Sequence, residues 1–402
     1  MERNTTLDAI RGVAVMGILL ANIVAFGLPE PAYFSPLAWG GSTGADRVAW
    51  FLNALLVEGR MRGLFSLLFG ASMLLVIERA EANGDAPAQV HLSRMFWLFA
   101  IGCVHLYLFW WGDILAHYAL IGALAYVFHR LDARSLVVLA VGFLALELLQ
   151  GANGAAALFA SAPRATEAQR AVWDGVAYGF GVPPAAHIHA EIAALRGGFG
   201  SGVAWRWQHL PDPFAFAWAF GAETMSAILL GMAAYRSGFL TGAWSRRAYA
   251  RIALAGVTVA TLAYGGMAMA TMASGFDQRL VFLGVNVVTV PFRLIGTIGY
   301  AAALTWALGG GGAWRDRLAA VGRTAFSNYL GTTLLMTFLF YGWGLGLFAR
   351  FDRAALYLFV PPAWALMLSW SPAWLRHFAY GPAEWVWRSL ARGEPQPMRR
   401  PR

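Results

Sequence analysis

The chain has no lysine, a single cysteine and few charged residues, and each of these shortages excludes a class of protein. Charged residues make up 13% of the 402 residues, against about 25% in soluble domains, which excludes an ordinary soluble enzyme. The lone Cys103 excludes an intramolecular disulfide framework and a cysteine-based zinc site. The net charge of +9 is carried by arginines alone. They are scattered singly between apolar runs, not clustered, so we predict no nucleic-acid binding.

Several motifs that carry chemistry are also missing. No glycine loop of the Walker or Rossmann type is present, and Gly309–Gly312 is interpreted as a loop between apolar runs. His187 and His189 have only Glu191 as a nearby acidic residue. Since a metal site needs more ligands than these, we predict no metal.

Long apolar runs are what the sequence has in abundance. Hydrophobic residues reach 59% and the mean hydropathy is +0.55. Because only helices and closed barrels satisfy their backbone in lipid, and a helix of ~20 residues crosses the bilayer, we predict an all-α polytopic membrane bundle. It has about ten transmembrane helices in one domain over 1–402. The predicted spans are 10–28, 60–78, 95–111, 113–129, 135–152, 213–235, 249–272, 287–309, 324–346 and 354–371.

Four segments fall outside the ordinary spans. Residues 46–58 are too short to cross and are interpreted as an interfacial or half-inserted helix before the second span, and 280–290 play the same role before the eighth. Residues 153–212 are predicted to form a long extracytoplasmic loop with two short helices. Residues 381–402 begin as a capped helix with two tryptophans, so we predict a cytoplasmic interfacial helix and tail.

Arginine placement predicts the orientation of the bundle. With ten spans and the N-terminus inside, the inner loops hold most of the arginines, including Arg3, Arg400 and Arg402 near the termini. Several of the outer arginines lie in or beside long loops, where the positive-inside rule counts least. Both termini are therefore predicted to be cytoplasmic.

The first span carries three polar residues in its apolar run. Ionisable groups in lipid are costly, so each is a candidate for function, although polar contacts between helices or snorkelling explain many of them equally well. Asp8 and Arg11 are spaced to pair at i, i+3. Asn22 follows Arg11 by eleven residues and lies on the same helical stripe. Two interpretations are open: Asp8 and Arg11 form a capping pair and Asn22 is a buried amide, or this stripe forms the wall of an aqueous cavity.

The second span begins with a dense polar segment. Glu58 and Arg62 are spaced for an i, i+4 pair, and Arg60 lies between them. Gly59 and Gly63 form a GxxxG step that lets a neighbouring helix approach closely. This step permits a homodimer or an internal contact.

The third and fourth spans hold the densest chemistry. Only Gly112 separates two apolar runs, so we expect a tight break there, with Asp113 directly after it. Asp113 and His117 are spaced for a carboxylate–imidazole pair, and Tyr118 follows. His105 lies about two turns deeper and is the candidate general base. The alternative is a histidine satisfied by a neighbouring helix.

Four further polar residues lie in later spans. Glu223 and Arg293 are candidate partners across the sixth and eighth spans, and Glu147 lies in the fifth. Asn328 lies among hydroxyl-bearing residues at the start of the ninth run, a composition that suits hydrogen bonds between helices.

Five segments in order resemble the YeiB family of bacterial inner-membrane proteins, which carries domain of unknown function 418. They are residues 6–23, 64–70, 102–118, 322–330 and 381–388, and they span nearly the whole chain. The resemblance implies a multi-pass protein of the bacterial inner membrane. His117 lies outside the family motif, which favours His105 and Asp113 as the functional pair.

This family is in turn similar to transmembrane acyltransferases, which include the sugar O-acyltransferases. The resemblance implies transfer of an acyl group from cytoplasmic acyl-CoA to an acceptor on the far side. The sugar O-acyltransferases have a histidine eleven residues after the arginine of the first span, where this chain has Asn22 after Arg11. Because an amide cannot act as a base, His105 takes that role here.

We carry three hypotheses from the sequence. In the preferred one, acyl-CoA is the co-substrate, Arg11 attracts it, Asn22 orients the thioester, and His105 with Asp113 deprotonates a small-molecule, lipid or sugar acceptor. The runner-up is a transporter or flippase-like protein for a small anion or lipid. The third is a non-catalytic scaffold in the lipid membrane. The remaining candidate binding residues are Glu58, Arg60, Arg62, Tyr118, Glu223, Arg293 and Asn328.

Overall fold

The computed structural model describes residues 4–399, and Arg3, Arg400 and Arg402 lie outside the described residues. Within this range the regular structure is helical, apart from an isolated antiparallel bridge between Phe378 and Arg399. The α-helices are α1 (Thr5–Gly27), α2 (Gly44–Leu56), α3 (Arg60–Asn83), α4 (Pro87–Val104), α5 (Leu115–Ala125), α6 (Ala133–Ala160), α7 (Glu167–Phe180), α8 (Ala185–Arg196), α9 (Phe199–His209), α10 (Pro213–Arg236), α11 (Arg246–Ala273), α12 (Gln278–Leu283), α13 (Val290–Leu308), α14 (Ala313–Arg323), α15 (Ala325–Phe340), α16 (Arg353–Leu356), α17 (Val360–His377) and α18 (Pro382–Arg392).

The helices are those of a membrane bundle. Seven of the described helices are long and apolar enough to cross a bilayer, and a pair bent by 55°, α12 with its continuation and α13, would make an eighth. Leu115–Phe128 and Ala325–Phe340 are apolar but shorter. Each of the ten predicted spans overlaps a helix, so the all-helical class is confirmed. The count of ten crossings stays a prediction.

Apolar side chains on the outer helices face away from the protein. Along α6, Val138 and Val141 are exposed, and along α11, Leu254 and Leu262 are exposed. Only 22% of the apolar stretch of each of these two helices is buried by the protein. Such faces are stable against hydrocarbon and costly in water, so lipid is their natural surrounding.

Helix α1 lies at the centre of the bundle and contacts α3, α13, α14, α15 and α17. Asn4 caps it by accepting the Leu7 N–H at 3.0 Å. Two glycines set its distance from α14: a Cβ on Gly12 would lie 2.1 Å from the Leu318 carbonyl oxygen, and one on Gly322 would lie 1.8 Å from that of Asp8. Small residues thus bring the two backbones into contact.

The GxxxG step of α3 is used inside the bundle. A Cβ on Gly63 would lie 2.2 Å from the Thr297 hydroxyl oxygen, and one on Gly59 would meet the Arg293 side chain at 2.4 Å. Both contacts are with α13. The homodimer stays a prediction, but this step is not available as its interface.

The non-spanning segments differ in detail from the predictions. The predicted segment 46–58 overlaps α2 (Gly44–Leu56), which is separated from α3 by a break at Gly59, where φ is 71°. Its interfacial or half-inserted placement stays a prediction. The long loop holds three helices, α7, α8 and α9, not two, and α6 continues to Ala160. Apolar faces of these short helices pack on the bundle, which the hydropathy of the loop alone does not reveal.

Candidate active site

A cavity of about 670 Å³ opens among the helix ends that lie beside Asn4, an end we call the N-terminal end of the bundle. Its mouth carries more basic than acidic side chains, with Asp8 and Glu384 as the acids. Arg11 pairs with Asp8 at 3.0 Å, as predicted, and donates to the Ser72 hydroxyl at 2.8 Å. The arginines that line the cavity are Arg11, Arg79, Arg94, Arg323 and Arg388.

The deeper wall of the cavity is apolar and aromatic. Phe65, Phe69 and Leu98 line it, with Tyr118 and Tyr329 near its end. The Tyr118 hydroxyl is bonded to the Ser66 hydroxyl at 2.5 Å. A charged mouth above an apolar depth suits an amphipathic anion.

Helix α18 forms part of the cavity wall through Glu384, Trp387 and Arg388. Trp387 donates its indole N–H to the Arg94 carbonyl at 2.9 Å, and the Arg94 guanidinium lies 4.0 Å from the centre of the Trp387 ring. The Glu384 carboxylate accepts the Phe326 N–H at 2.8 Å. Burial raises the pKa of Glu384 above its usual value. The C-terminal helix is thereby fixed across the N-terminal end.

His105 and Asp113 form a buried hydrogen-bonded pair. The distance from His105 Nδ1 to Asp113 Oδ1 is 2.7 Å, and the two residues are 3% and 7% exposed. Asp113 Oδ2 accepts the Ala116 N–H at 2.9 Å, which fixes the carboxylate at the start of α5. On the other side of the ring, His105 Nε2 lies 3.0 Å from the Thr333 hydroxyl oxygen. A carboxylate bonded to one imidazole nitrogen holds the ring in one tautomer and orientation.

A π-helical turn places His105 in this position. The turn covers His105–Phe109, and the Trp110 N–H donates to the His105 carbonyl at 3.0 Å. Arg206 of α9 donates to two other carbonyls of the turn, those of Tyr107 at 3.0 Å and Leu108 at 2.7 Å. π-turns inside α-helices are frequent at functional sites. Here the turn ends the helix and lets the chain fold back so that Asp113 meets His105.

The histidine lies just beyond the end of the cavity. The ring centres of His105 and Tyr329 are 5.3 Å apart, and Tyr329 lines the cavity. On the far side, Trp110 stacks on Phe26 with centres 4.1 Å apart. The Trp110 ring also contacts His105 edge-on, with ring centres 6.3 Å apart.

A second polar cluster lies between α3, α10 and α13. Arg293 pairs with Glu223 at 2.5 Å, which confirms the predicted partnership, and Arg62 pairs with the same carboxylate at 3.3 Å. The Glu147 carboxylate accepts the Glu223 N–H at 3.1 Å. A small pocket of about 60 Å³ beside Arg293 and Glu58 leads toward the opposite end. Its volume is that of about two water molecules.

Two predicted pairs are wrong. Asp113 contacts His105, and His117 Nε2 is bonded instead to the Thr224 hydroxyl at 2.8 Å. Likewise Glu58 accepts the Tyr33 hydroxyl at 2.9 Å, while Arg62 turns to Glu223. In both cases the carboxylate precedes the first residue of the helix. The i, i+4 rule needs a continuous helix, and the chain is not helical there.

Two other predicted binding residues hold helices together. Arg60 is fully buried and donates to the Ala54 carbonyl at 3.3 Å and the Ala260 carbonyl at 3.4 Å. The Asn328 amide donates to the Ser371 hydroxyl at 3.1 Å and to the Val321 carbonyl at 3.2 Å. Neither lines the cavity.

Asn22 is half-buried on α1 and is not among the residues that line the cavity, whereas Arg11 on the same stripe and Tyr118 both line it. The structure therefore does not bring Asn22 to the end of the cavity. In the described part of the chain, no group of three or more His, Cys, Asp or Glu side chains is arranged to hold a metal ion.

Three features of the site were missed from the sequence: Thr333, the arginines of helix ends that face one cavity, and Glu384. Arg94 and Arg388 lie almost three hundred residues apart, so no local pattern joins them. For Thr333 a weak signal exists, because Thr333 and Thr337 recur at helical spacing in an otherwise apolar run. Hydroxyls in such a run commonly bond the backbone of their own helix, which makes the signal unspecific.

Comparison with known proteins places these features in a family. The chain is 33% identical to the uncharacterized protein YeiB of Escherichia coli (strain K12), over 97% of this chain and 96% of that protein. It is 28% identical to the uncharacterized protein YxaH of Bacillus subtilis (strain 168), over 99% and 96% of the two chains. The model of a protein of unknown function, DUF418, matches residues 234–394. The chain belongs to the YeiB-like DUF418 family.

The DUF418 match and the candidate site overlap only in part. The matched residues 234–394 include α15 with Thr333 and α18 with Glu384. His105, Asp113 and Arg11 lie before that region. The candidate site is therefore assembled from both halves of this DUF418 chain.

Proposed function

We propose that this DUF418 protein is a membrane-embedded acyltransferase of the bacterial inner membrane. It takes an acyl group from cytoplasmic acyl-CoA and moves it to a small-molecule, sugar or lipid acceptor at the outer side. The proposal rests on one observation: an arginine-lined cavity with an apolar depth ends at Tyr329, directly beside the His105–Asp113 pair. In this proposal the N-terminal end of the bundle, where the cavity opens, faces the cytoplasm.

The mouth of the cavity supports an acyl donor with several negative charges. Five arginines line the cavity against two acids. Guanidinium groups bind phosphates in bidentate geometry, and an arginine keeps its charge at any physiological pH. A phosphate-rich carrier such as coenzyme A has the charge and size that this mouth favours.

The depth of the cavity supports an acyl chain. Phe65, Phe69 and Leu98 offer an apolar surface, and each buried CH₂ group of a ligand adds about 0.8 kcal/mol. Volumes of ~300–1,000 Å³ are usual for ligand sites, and this cavity falls within that range at about 670 Å³. With a short acyl group, the arm that links the thioester to the phosphates of the carrier occupies part of this depth, and the thioester lies near the end where Tyr329 separates it from His105.

The His105–Asp113 pair supports general-base catalysis. Asp113 accepts the Nδ1–H, which leaves Nε2 as the basic nitrogen. A base placed in this way contributes about 10²–10⁴-fold to a proton-transfer step. Asn22 does not line the cavity, so it does not orient the thioester in this proposal.

The test uses purified protein in lipid nanodiscs with acetyl-, octanoyl- and palmitoyl-CoA as donors. We expect saturable binding of at least one donor and release of free CoA. His105→Ala and Asp113→Asn should retain binding and lose at least about 100-fold in CoA release. His377→Ala, an exposed histidine at the end of α17, is the matched control and should behave as wild type. The absence of donor binding, or release of CoA by His105→Ala at the wild-type rate, contradicts the proposal.

The transporter alternative rests on the second polar cluster. Its proposed relay of Glu58, Asp113, Glu223 and Arg293 is divided between two sites, because Asp113 contacts His105 while Glu223 and Arg293 contact each other. Uptake of an intact anion into proteoliposomes, unaffected by His105→Ala and lost in Glu223→Gln, would favour transport over acyl transfer.

A further inference from the structure

The Thr333 hydroxyl lies at the one nitrogen of His105 that Asp113 leaves available. Nδ1 is 2.7 Å from the carboxylate and Nε2 is 3.0 Å from Thr333 Oγ1. In a neutral imidazole whose Nδ1–H is donated to Asp113, Nε2 carries the lone pair. Three side chains therefore form a hydroxyl–imidazole–carboxylate chain, the arrangement that activates a hydroxyl as a nucleophile.

The single proton of the Thr333 hydroxyl has two acceptors within reach. One is His105 Nε2 at 3.0 Å and the other is the Tyr329 carbonyl, at a longer 3.3 Å. Thr337, one turn further on α15, is also buried, but its hydroxyl donates to the Thr333 carbonyl at 2.7 Å. Thr337 thus has the ordinary role of a threonine in a membrane helix. Thr333 has an imidazole in addition.

The position of Thr333 along α15 is between the two ends of the bundle. The helix begins at Ala325, and the cavity reaches Tyr329. Thr333 lies one turn beyond, about 6 Å along the helix axis, and is 1% exposed. A donor thioester therefore reaches Thr333 only when the Tyr329 side chain moves aside.

We propose that Thr333 is the nucleophile that carries the acyl group as an ester between donor and acceptor. This inference rests on the proposed acyl transfer and gives it a two-step form. Transfer across a membrane needs the acyl group to leave a donor at one side and meet an acceptor at the other. An ester held between the two ends separates these events without a channel that opens to both sides.

In the first step Thr333 Oγ1 attacks the thioester carbonyl carbon while His105 Nε2 takes its proton. A C–O bond forms, the C–S bond breaks, and the imidazolium returns the proton to the sulfur, so free CoA leaves as a thiol. In the second step an acceptor hydroxyl or amine gives its proton to Nε2 and attacks the ester carbonyl. The bond to Thr333 breaks, and the imidazolium restores the proton to Oγ1.

The experiment uses full-length protein in nanodiscs with donor alone, the same acyl-CoA series, and no acceptor. We expect one equivalent of CoA to be released in a burst and the chain to gain the mass of one acyl group. Peptide mapping should place the adduct on Thr333. Thr333→Ser should keep the adduct, Thr333→Val should lose it, and Thr337→Val should retain it as the matched control. Equal thermal unfolding of the two valine variants shows that both fold.

If water hydrolyses the ester before it accumulates, the steady-state rate of CoA release tests the proposal in place of the adduct. Steady CoA release by Thr333→Val below about a hundredth of the wild-type rate supports the proposal, and any higher rate overturns it. An adduct on another residue also overturns it. If the wild type neither binds nor consumes any donor, the proposed acyl transfer itself fails. If Thr333→Val consumes donor like the wild type, only the role of Thr333 fails.

Discussion

The buried Glu191 and the half-buried Glu30 lie together at the end of the bundle opposite the cavity. The Glu30 N–H donates to Glu191 Oε1 at 2.9 Å, and Glu191 is 2% exposed. Burial, assisted by the neighbouring Glu30 charge, raises the pKa of Glu191 to about 8, and burial raises that of Glu30 to about 7. The contact joins α8 to the segment that follows α1.

We expect Glu191→Gln to stabilise the protein in alkaline solution. A carboxyl whose pKa is raised on folding favours the fold when protonated, so its contribution is complete below the usual pKa of 4.5 and is lost as pH rises through about 8. The amide stays neutral and still accepts the Glu30 N–H. Thermal unfolding at pH 5 and pH 9 measures the difference, which should reach the order of a few kcal/mol at pH 9 and fall below about 1 kcal/mol at pH 5.

Glu167→Gln is the control for this prediction, because Glu167 lies in the same loop but is exposed. It should leave the pH dependence of unfolding unchanged. Equal unfolding temperatures of the wild type and Glu191→Gln at pH 9 would contradict the assigned ionisation.

A pair of interacting residues could be predicted from the sequence in two cases: when both residues lie in one continuous helix, and when a charged residue in the membrane needs an oppositely charged partner. Asp8 with Arg11 follows from spacing, and Glu223 with Arg293 follows because a charge in the bundle needs an opposite charge. Helical spacing paired Asp113 with His117, which is wrong, whereas the family resemblance favoured His105 with Asp113, the two residues that are in contact. The pairing depends on a chain reversal after the π-turn, which no helical periodicity contains.

At the scale of elements, one carboxylate, that of Glu384, joins the C-terminal helix α18 to the start of α15. Glu384 accepts the Phe326 N–H at 2.8 Å and the Ser327 N–H at 3.3 Å. Both donors belong to the first turn of α15, where N–H groups have no partner in the helix. The contact caps α15 and attaches α18 to the cavity wall at the same time.

We expect Glu384→Ala to loosen α18 from the bundle. Loss of a helix cap costs about 0.5–2 kcal/mol, enough to raise the exchange rate of amides in 382–392 severalfold while the rest of the bundle keeps its protection. Hydrogen exchange read by mass spectrometry measures this. Glu394→Ala, at an exposed side chain that accepts from the Gln396 amide at 3.4 Å, is the control. Unchanged exchange in 382–392 would contradict the role of Glu384.

Helices could be predicted where a long apolar run specifies them. They could not be predicted where contacts with distant parts of the chain determine the local structure. All ten apolar runs became helices, since lipid allows no other structure. The π-turn at His105–Phe109 has no composition signal, because its carbonyls are satisfied by Arg206 from a distant loop helix. The three loop helices α7, α8 and α9 likewise take their places from contacts with the bundle.

At the scale of the whole molecule, the cavity has a direction that matters for the proposed chemistry. It opens at the N-terminal end, where α14 and α18 also lie, while α7, α8 and α9 cover the opposite end near Tyr341 and Phe348. A donor from the cytoplasm reaches the cavity only if the N-terminal end faces inward. The proposed function therefore requires the orientation that the arginine distribution predicts.

Three helices decide the number of crossings, and the shortest of them, α5, has 11 residues. Helix α13 is the second half of a bent pair, and α15 has 16 residues, about 24 Å against a hydrocarbon thickness of ~30 Å. If α13 turns back, the residues before α10 and after α13 lie on the same side. If α15 does not cross, the residues before it and after α17 lie on opposite sides.

We expect single cysteines at three exposed positions to report ten crossings with both termini inside. In a Cys103→Ala background, Gly200→Cys should react with a membrane-impermeant maleimide in intact cells. Gly310→Cys and Glu394→Cys should react only after lysis. A Cβ at Gly200 or Gly310 meets no neighbour, so the substitutions should leave the fold intact. Labelling of Gly310→Cys in intact cells would show that α13 turns back. If Gly200→Cys and Glu394→Cys are labelled in intact cells and Gly310→Cys is not, α15 does not cross.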